Sequence, residues 1–278
     1  MVLETIEPVH DPEGLEALKV KILNERGLDL SQYKDKFLIR RFKARMRSRC
    51  KLTYADYIAL LDSDPVEYIK LFDKLTINVT EFFRNPEMWE AFRTKVLPKV
   101  LERPEERRIV RFWSAGCASG EEPYTIAMLV DEYLWNKEHN LQLAIRGTDL
   151  DEDALRSARE GLYVPDKLRK VPDLHRKKYF SPDDGKFRLC ERMKAMVRFQ
   201  RHDLISGKRH KYFDVILCRN VIIYFTKVQQ LKLFKEFHES LNLDGFLILG
   251  KTETLLPECK ALFKIVDSHE RIYQKIGP

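Results

Sequence analysis

A chain of 278 residues with an apolar fraction of 44% can bury two domains or one large one, which excludes disorder as its default state. No uninterrupted apolar stretch is long enough to span a bilayer, and the stretch from Met1 to Gly14 lacks the basic-then-apolar pattern of a signal peptide. Five cysteines without a C-x-x-C pair point to reduced, cytosolic thiols and to no zinc site, and the net charge of +7 is concentrated rather than spread.

In chain order, the pattern predicts helices over 15–26, 34–49, 53–62 and 65–75, the last opened by Asp64-Pro65 with proline in the first turn. From Lys34 to Lys51 there are nine basic residues and one acid, Asp35. Within that helix Leu38, Phe42 and Met46 recur every four residues and define an inward face. Lys36, Arg40, Lys43 and Arg47 cluster opposite, with Arg41 and Arg45 between them. Such a stripe can be a merely solvated face, yet charge of one sign also suits an acidic partner, either nucleic acid or an acidic protein helix. No histidine–cysteine finger or RNA-recognition aromatic motif selects the former. The chain divides near residue 75. At that junction Leu75-Thr-Ile-Asn-Val-Thr-Glu-Phe-Phe-Arg84 offers an amide, a hydroxyl and a guanidinium at Asn78, Thr80 and Arg84. Residues of this kind cap helices or bridge domains as readily as they bind ligands.

From Ile109 onward strands and helices alternate: strand 109–113, helix 123–138, strand 142–147, helix 151–160, strand 213–218, helix 226–241, strand 245–250, and strand candidates within 262–275 that close the sheet as an antiparallel pair. Alternation of this kind predicts a largely parallel sheet with helices on both faces. The first strand runs into Trp113-Ser-Ala-Gly-Cys-Ala-Ser-Gly-Glu-Glu-Pro123, a small-residue turn that lets a ligand approach a helix N-terminus. The second ends in Asp149, placed to accept hydrogen bonds from ribose hydroxyls. Only Gly116 and Gly120 of a G-x-G-x-x-G fingerprint are present, and the Glu121-Glu122 pair would repel a diphosphate. The turn suits instead a ligand with a cationic end, such as S-adenosylmethionine; tight strand–helix packing, with the acids favouring the helix N-terminus, is the alternative.

Between residues 165 and 209 the rhythm breaks into a basic, proline-interrupted stretch. The turn Ser181-Pro-Asp-Asp-Gly185, with Lys186-Phe-Arg-Leu189 and Met196-Val-Arg-Phe199 as flanking strands, predicts a small antiparallel insert that covers a sheet edge or docks a partner. Farther on, Phe213-Asp-Val-Ile-Leu-Cys-Arg-Asn-Val-Ile-Ile-Tyr-Phe225 delivers Cys218, Arg219 and Asn220 to the C-terminal end of a strand, where open α/β sheets bind ligands. Tyr224 follows, in a run whose aromatics are more often core.

Taken together, N-x-T-x-F-F-R, W-S-A-x-x-x-x-G-E-E-P-Y, the acid at 149 and F-D-x-I-x-C-R-N-V-x-I-Y-F resemble the chemotaxis receptor methyltransferases, the CheR family, in which these motifs occur in this order. The resemblance covers essentially the whole chain. It implies an α/β fold: a Rossmann-like S-adenosylmethionine-dependent methyltransferase domain over 76–278 with a small antiparallel β-subdomain insert at about 165–200, preceded by an all-α N-terminal receptor-recognition domain over 1–75. The implied activity is methyl transfer from S-adenosylmethionine to glutamate side chains on the cytoplasmic helices of chemoreceptors. A cytoplasmic monomer without metal, nucleic acid or membrane insertion is expected. Motif position assigns cofactor contacts to Asn78, Thr80, Arg84, Gly116, Glu122, Asp149, the Asp203-Leu204 pair and the Cys218-Arg219 pair. The family often carries Asn where this chain has Asp203, whose carboxylate still accepts from an adenine amino group. From the chemistry, Arg84 and Tyr224 are expected to orient the reactants, and the resemblance implies that Arg41, Arg45 and Arg47 face the receptor. In some members the β-subdomain docks a receptor C-terminal tether; the short Ser181–Gly185 loop favours tether-independent action here.

Three rivals are weaker. An amine or nucleic-acid methyltransferase usually has a D/N-P-P-aromatic turn, whereas Arg219-Asn-Val-Ile222 lacks both prolines. A nicotinamide-dependent oxidoreductase is disfavoured by the missing middle glycine. Intact Arg84, Glu122, Asp149 and Tyr224 argue against a binding module that has lost its chemistry.

Overall fold

The computed structural model describes residues 11–75, 78–102, 109–208 and 210–277. The described residues up to Leu75, joined by Tyr224–Gln229, form one compact unit, and the other described residues form a second. A contiguous reading of the sequence does not anticipate that a six-residue excursion from far along the chain completes the first unit.

That unit is helical: α1 (Pro12–Arg26), α2 (Asp35–Ser48), α3 (Tyr54–Ser63) and α4 (Pro65–Leu75). The Thr53 side chain caps α3 by accepting the Asp56 N–H at 3.1 Å. Leu38, Phe42 and Met46 are fully buried, as their four-residue spacing requires. The side chains of α2 are not all free to face outward. Arg45 donates through Nε and Nη2 to the two carboxylate oxygens of the buried Glu67 on α4, at 2.9 and 2.6 Å, and Tyr57 donates to the same carboxylate at 2.8 Å. The returning segment is tied in by its backbone. Lys34 N–H donates to the Tyr224 carbonyl and Thr226 N–H to the Gln32 carbonyl, both at 2.9 Å. The Tyr224 ring lies 4.6 Å from that of Phe37.

The second unit contains α5 (Pro86–Ala91), α6 (Leu97–Leu101), β1 (Ile109–Ala115), α7 (Glu121–Tyr133), β2 (Gln142–Asp149), α8 (Glu152–Glu160), β3 (Leu162–Tyr163), α9 (Asp173–Tyr179), β4 (Phe180–Asp183), β5 (Lys186–Leu189), α10 (Glu191–Met196), β6 (Val197–Arg201), β7 (Phe213–Cys218), the crossover helix α11 (Lys227–Ser240) from Gln230 onward, β8 (Leu241–Leu249), β9 (Phe263–Asp267) and β10 (Ile272–Lys275). Its main sheet has the order β6-β2-β1-β7-β8-β10-β9. The first five are mutually parallel, and β10 is antiparallel to both neighbours. This is the alternating α/β architecture expected, including the antiparallel closing pair. The chain winds from β1 outward through β2 to β6, then returns to β7 on the other side of β1. The topological switch point therefore lies between the C-terminal ends of β1 and β7, where open α/β sheets bind ligands.

The insert differs from expectation in one strand. Its sheet is β3-β5-β4, with β4 and β5 paired across the Asp184-Gly185 turn. Met196-Val-Arg-Phe199, expected as a flank of that insert, instead leads into and largely forms the edge strand β6 (Val197–Arg201) of the main sheet, parallel to β2. The reason is packing: Phe199 sits against the Tyr124 ring at 5.4 Å and fills the space that a side chain at Gly147 would occupy. No helix among the described residues is long and apolar enough to cross a membrane.

Candidate active site at the sheet switch point

The turn after β1 passes close to the loop after β7. Gly116 has φ +83°, and a Cβ built there would lie 2.4 Å from Val221 Cγ2, so glycine is required for both conformation and clearance. Gly116 and Cys117 both donate to the Thr148 carbonyl, at 2.8 and 2.9 Å, which fastens this turn to the end of β2. Asp149 closes the same junction. One of its oxygens accepts the Ala118 N–H at 2.8 Å and the other the Asp151 N–H at 3.0 Å. Burial pushes the Asp149 carboxyl up from its ordinary value, and the backbone donors of Asp151 and Ala118 pull it back.

A second network forms at the end of β7. Arg219, only 7% exposed, donates through Nη1 to Glu122 at 3.0 Å. Its Nη2 donates to the Arg84 carbonyl at 2.9 Å and to Asn85 Oδ1 at 2.8 Å. The other Glu122 oxygen accepts the Ser114 hydroxyl at 2.8 Å. Arg219 Nε is buried and has no hydrogen-bond partner among the described residues. Such an orphaned donor carries an energetic cost that a bound acceptor would remove.

Segment 78–85 reaches this region through its backbone and its aromatics. Phe82 packs edge-on against Tyr163 at 4.8 Å and Phe180 at 5.2 Å, and Phe83 against Trp89 at 6.4 Å. Phe83 and Asn85 both adopt positive φ, 52° and 61°, so the segment bends sharply where Arg219 grips it. Asn78 Nδ2 donates at 2.7 Å to Asp151, which caps α8 through its other oxygen and gives its own N–H to Asp149. The Arg84 side chain folds back onto the Val79 carbonyl at 2.9 Å, and the Thr80 carbonyl accepts Lys167 Nζ at 2.6 Å.

The structure thus brings Glu122, Arg219 and the backbone of Arg84 into one network, and Gly116, Asp149 and, through Asp151, Asn78 into a second. Asp203 stands apart: its carboxylate accepts the Ile205 N–H at 2.8 Å and the Ser206 hydroxyl at 2.6 Å, bracing its own turn beside half-buried Leu204. Cys218 is fully buried, and burial pushes its thiol well up, so it packs rather than reacts. Tyr224 belongs to the helical unit. Sequence reasoning missed Glu253, which is 3% exposed. It accepts N–H groups from Asn220 and Gly250 at 2.8 Å, Val221 at 3.0 Å and Ile223 at 3.3 Å. An acid shortly after a strand-end glycine is the one local signal, and it is faint.

The donor set fits S-adenosylmethionine. Asp149 presents carboxylate at the tip of β2, the Arg219 Nε–H awaits an acceptor, and acidic groups line the turn rather than the phosphate-binding amides of a dinucleotide site. Among the described residues, no group of three His, Cys, Asp or Glu side chains is arranged to hold a metal ion.

Comparison with known proteins agrees with this reading. Residues 78–272 match the family model described as "CheR methyltransferase, SAM binding domain", and residues 13–76 match "CheR methyltransferase, all-alpha domain". A chemotaxis protein methyltransferase of Borreliella burgdorferi is 35% identical over 241 residues, covering 84% of this chain and 85% of that protein. One from Listeria monocytogenes is 33% identical over 235 residues, covering 84% and 87%. The class is therefore that of S-adenosylmethionine-dependent methyltransferases. Within it, the chain belongs to the CheR methyltransferase family.

Proposed function

We propose that this protein transfers the methyl group of S-adenosylmethionine to glutamate side-chain carboxylates of chemoreceptors, in the cytoplasm, as a monomer. The observation that supports this most is the presence, in one chain of this family, of a cofactor-binding sheet and a helical unit whose second helix carries a basic stripe. Lys36, Arg40 and Arg47 of that stripe are exposed, which suits an acidic helical partner.

When bound, S-adenosylmethionine supplies an electrophilic methyl on a positively charged sulfur, which leaves as a neutral thioether. A glutamate carboxylate is ionised at neutral pH, so its oxygen attacks without a general base and no proton moves. The protein's contribution is to align the reactants and exclude water. Asp149 takes the ribose hydroxyls. Asn78, Thr80, Glu122 and the Gly116 turn hold the amino-acid end together with Arg84 and Arg219, the guanidiniums meeting the carboxylate of the cofactor. Asp203-Leu204 and Cys218 frame the adenine side. Tyr224 donates to the acceptor or packs beside the methyl group. Arg41 and Arg47 face the receptor, while Arg45, bound to Glu67, holds α2 in place to present them.

The test is incubation with methyl-labelled S-adenosylmethionine and chemoreceptor cytoplasmic fragments, followed by mild base. Label released as methanol is expected, the signature of a carboxyl methyl ester. Base-stable label would move the acceptor to nitrogen. Arg84→Ala should weaken S-adenosylhomocysteine binding at least tenfold in calorimetry, and wild-type affinity would remove Arg84 from the site. Tyr224→Phe should lower the rate, and an unchanged rate would reduce the residue to packing.

A further inference from the structure

Glu121 is the first residue of α7 and is completely buried, with its carboxylate held between the turn before it and a lysine from the insert. The Ser119 hydroxyl contacts its two oxygens at 2.9 and 2.8 Å, and Lys167 Nζ lies 3.0 Å from Oε1. The same ammonium donates to the Thr80 carbonyl at 2.6 Å. Lys167 thus joins the helix that follows the Gly116 turn to the segment bearing Asn78, Thr80 and Arg84. It comes from neither: it sits in the short turn Pro165–Leu168, between strands β3 and β4 of the insert.

Further links between insert and segment run in parallel. Phe82 N–H donates to the Lys167 carbonyl at 3.3 Å. Lys170 pairs with Glu81 at 2.5 Å. Phe82 lies on Tyr163 of β3 and Phe180 of β4, and Phe83 lies 5.3 Å from His175 of α9. Tyr163 in turn donates to the Ser119 carbonyl at 2.9 Å. The insert thus holds residues 80–82 of the segment, while Phe83 is shared, its N–H donating to Thr125 of α7 at 3.3 Å and its ring also packing on Trp89 of α5.

We propose that Lys167 is a positioning residue for cofactor binding, and that through it the β-subdomain insert sets the affinity of the S-adenosylmethionine site. The inference rests on that site being where the preceding section puts it. Lys167 touches no reacting atom. It fixes the separation between the Thr80 backbone and the α7 N-terminus, and the ligand's amino-acid end needs both. The charge on Glu121, which a buried helix N-terminus alone would balance poorly, is what holds the ammonium in place.

Three measurements test it. Lys167→Met leaves Glu121 uncompensated, so the charge-neutral Lys167→Met/Glu121→Gln pair is made alongside it. Both should weaken S-adenosylhomocysteine binding by tenfold or more in calorimetry. In steady state, KM for S-adenosylmethionine should rise by a similar factor, while kcat at saturating cofactor and KM for the receptor fragment hold. Hydrogen exchange on the wild-type protein supplies the third readout: S-adenosylhomocysteine should slow exchange in residues 162–170 as well as in the loops after β1 and β2. Wild-type affinity in the neutral pair, or protection confined to the sheet-end loops, would overturn the proposal. A wild-type protein that binds no S-adenosylhomocysteine would overturn the cofactor site itself, and the proposal with it.

Discussion

Glu253 places four backbone donors on one buried carboxylate and so locks the loop Asn220–Ile223, which follows Arg219, to the end of β8. Burial pushes this carboxyl up, and the backbone donors of Asn220, Gly250 and Ile223 resist the shift. Glu253→Gln keeps one accepting oxygen and turns an NH2 group onto backbone N–H groups. About 2–3 kcal/mol of stability should be lost, read from the urea unfolding midpoint. An unchanged midpoint would mean that the loop finds other acceptors. The contrast with Asp149 and Arg219 shows what a sequence can reveal about single residues. Those two stand at the ends of apolar runs, where strand geometry assigns them to the ligand side. Glu253 and Lys167 lie in polar, turn-rich stretches that read as solvent-exposed, because burial there comes from elements distant in sequence.

At the level of elements, α2 was legible from its four-residue apolar period and its one-signed opposite face. The intermediate positions were not. Arg45 looks like one more member of the basic stripe, but it lies over α4, where Glu67 is fully buried. A buried ion pair broken on one side leaves an unpaired charge and typically costs about 3–5 kcal/mol. Glu67→Gln should therefore destabilise the helical unit by an amount at the lower end of that range, seen as a lower thermal midpoint, whereas Arg40→Ala on the exposed face should change it little. Equal midpoints would show that Arg45 re-pairs elsewhere. The misplaced strand β6 has a related cause. Val197 and Phe199 alternate as well for an insert hairpin as for a sheet edge, and only the fit of Phe199 over Gly147 decides between them.

Over the whole molecule, alternating strands and helices were enough to give the α/β class, and the antiparallel ending was visible in the close spacing of the last strands. Strand order was not, since it depends on which helices cover which face. Acid stability is another whole-molecule property, and it has a local origin. His210 Nδ1 lies 2.9 Å from Arg146 Nη1, while its ring sits among His202, Trp113 and Phe213. Burial, with His202 and Arg146 adding to it, pushes His210 down from 6.5 to about 4. A folded value below the unfolded one contributes stability that is complete above the unfolded value of 6.5 and lost as pH falls toward 4. Asp149 and Glu253, pushed up by burial, work in the opposite sense, so the signature is a difference. The thermal midpoint of wild type should fall more steeply over this window than that of His210→Gln, whose amide oxygen can still accept from Arg146. Parallel curves would assign the acid sensitivity elsewhere.

The segment Tyr224–Gln229 completes the helical unit, although it is encoded within the stretch that otherwise builds the methyltransferase sheet. The unit is thus not a cassette that one recombination event can transplant. A crossover at the junction alone would pair incoming helices with a foreign Tyr224 and Phe225, and so with strangers against Phe37 and Tyr33. Exchange of this unit between relatives needs two linked crossovers. Its helices and the six residues after the fourth parallel strand are therefore bound to diverge together, as one heritable trait written in two places.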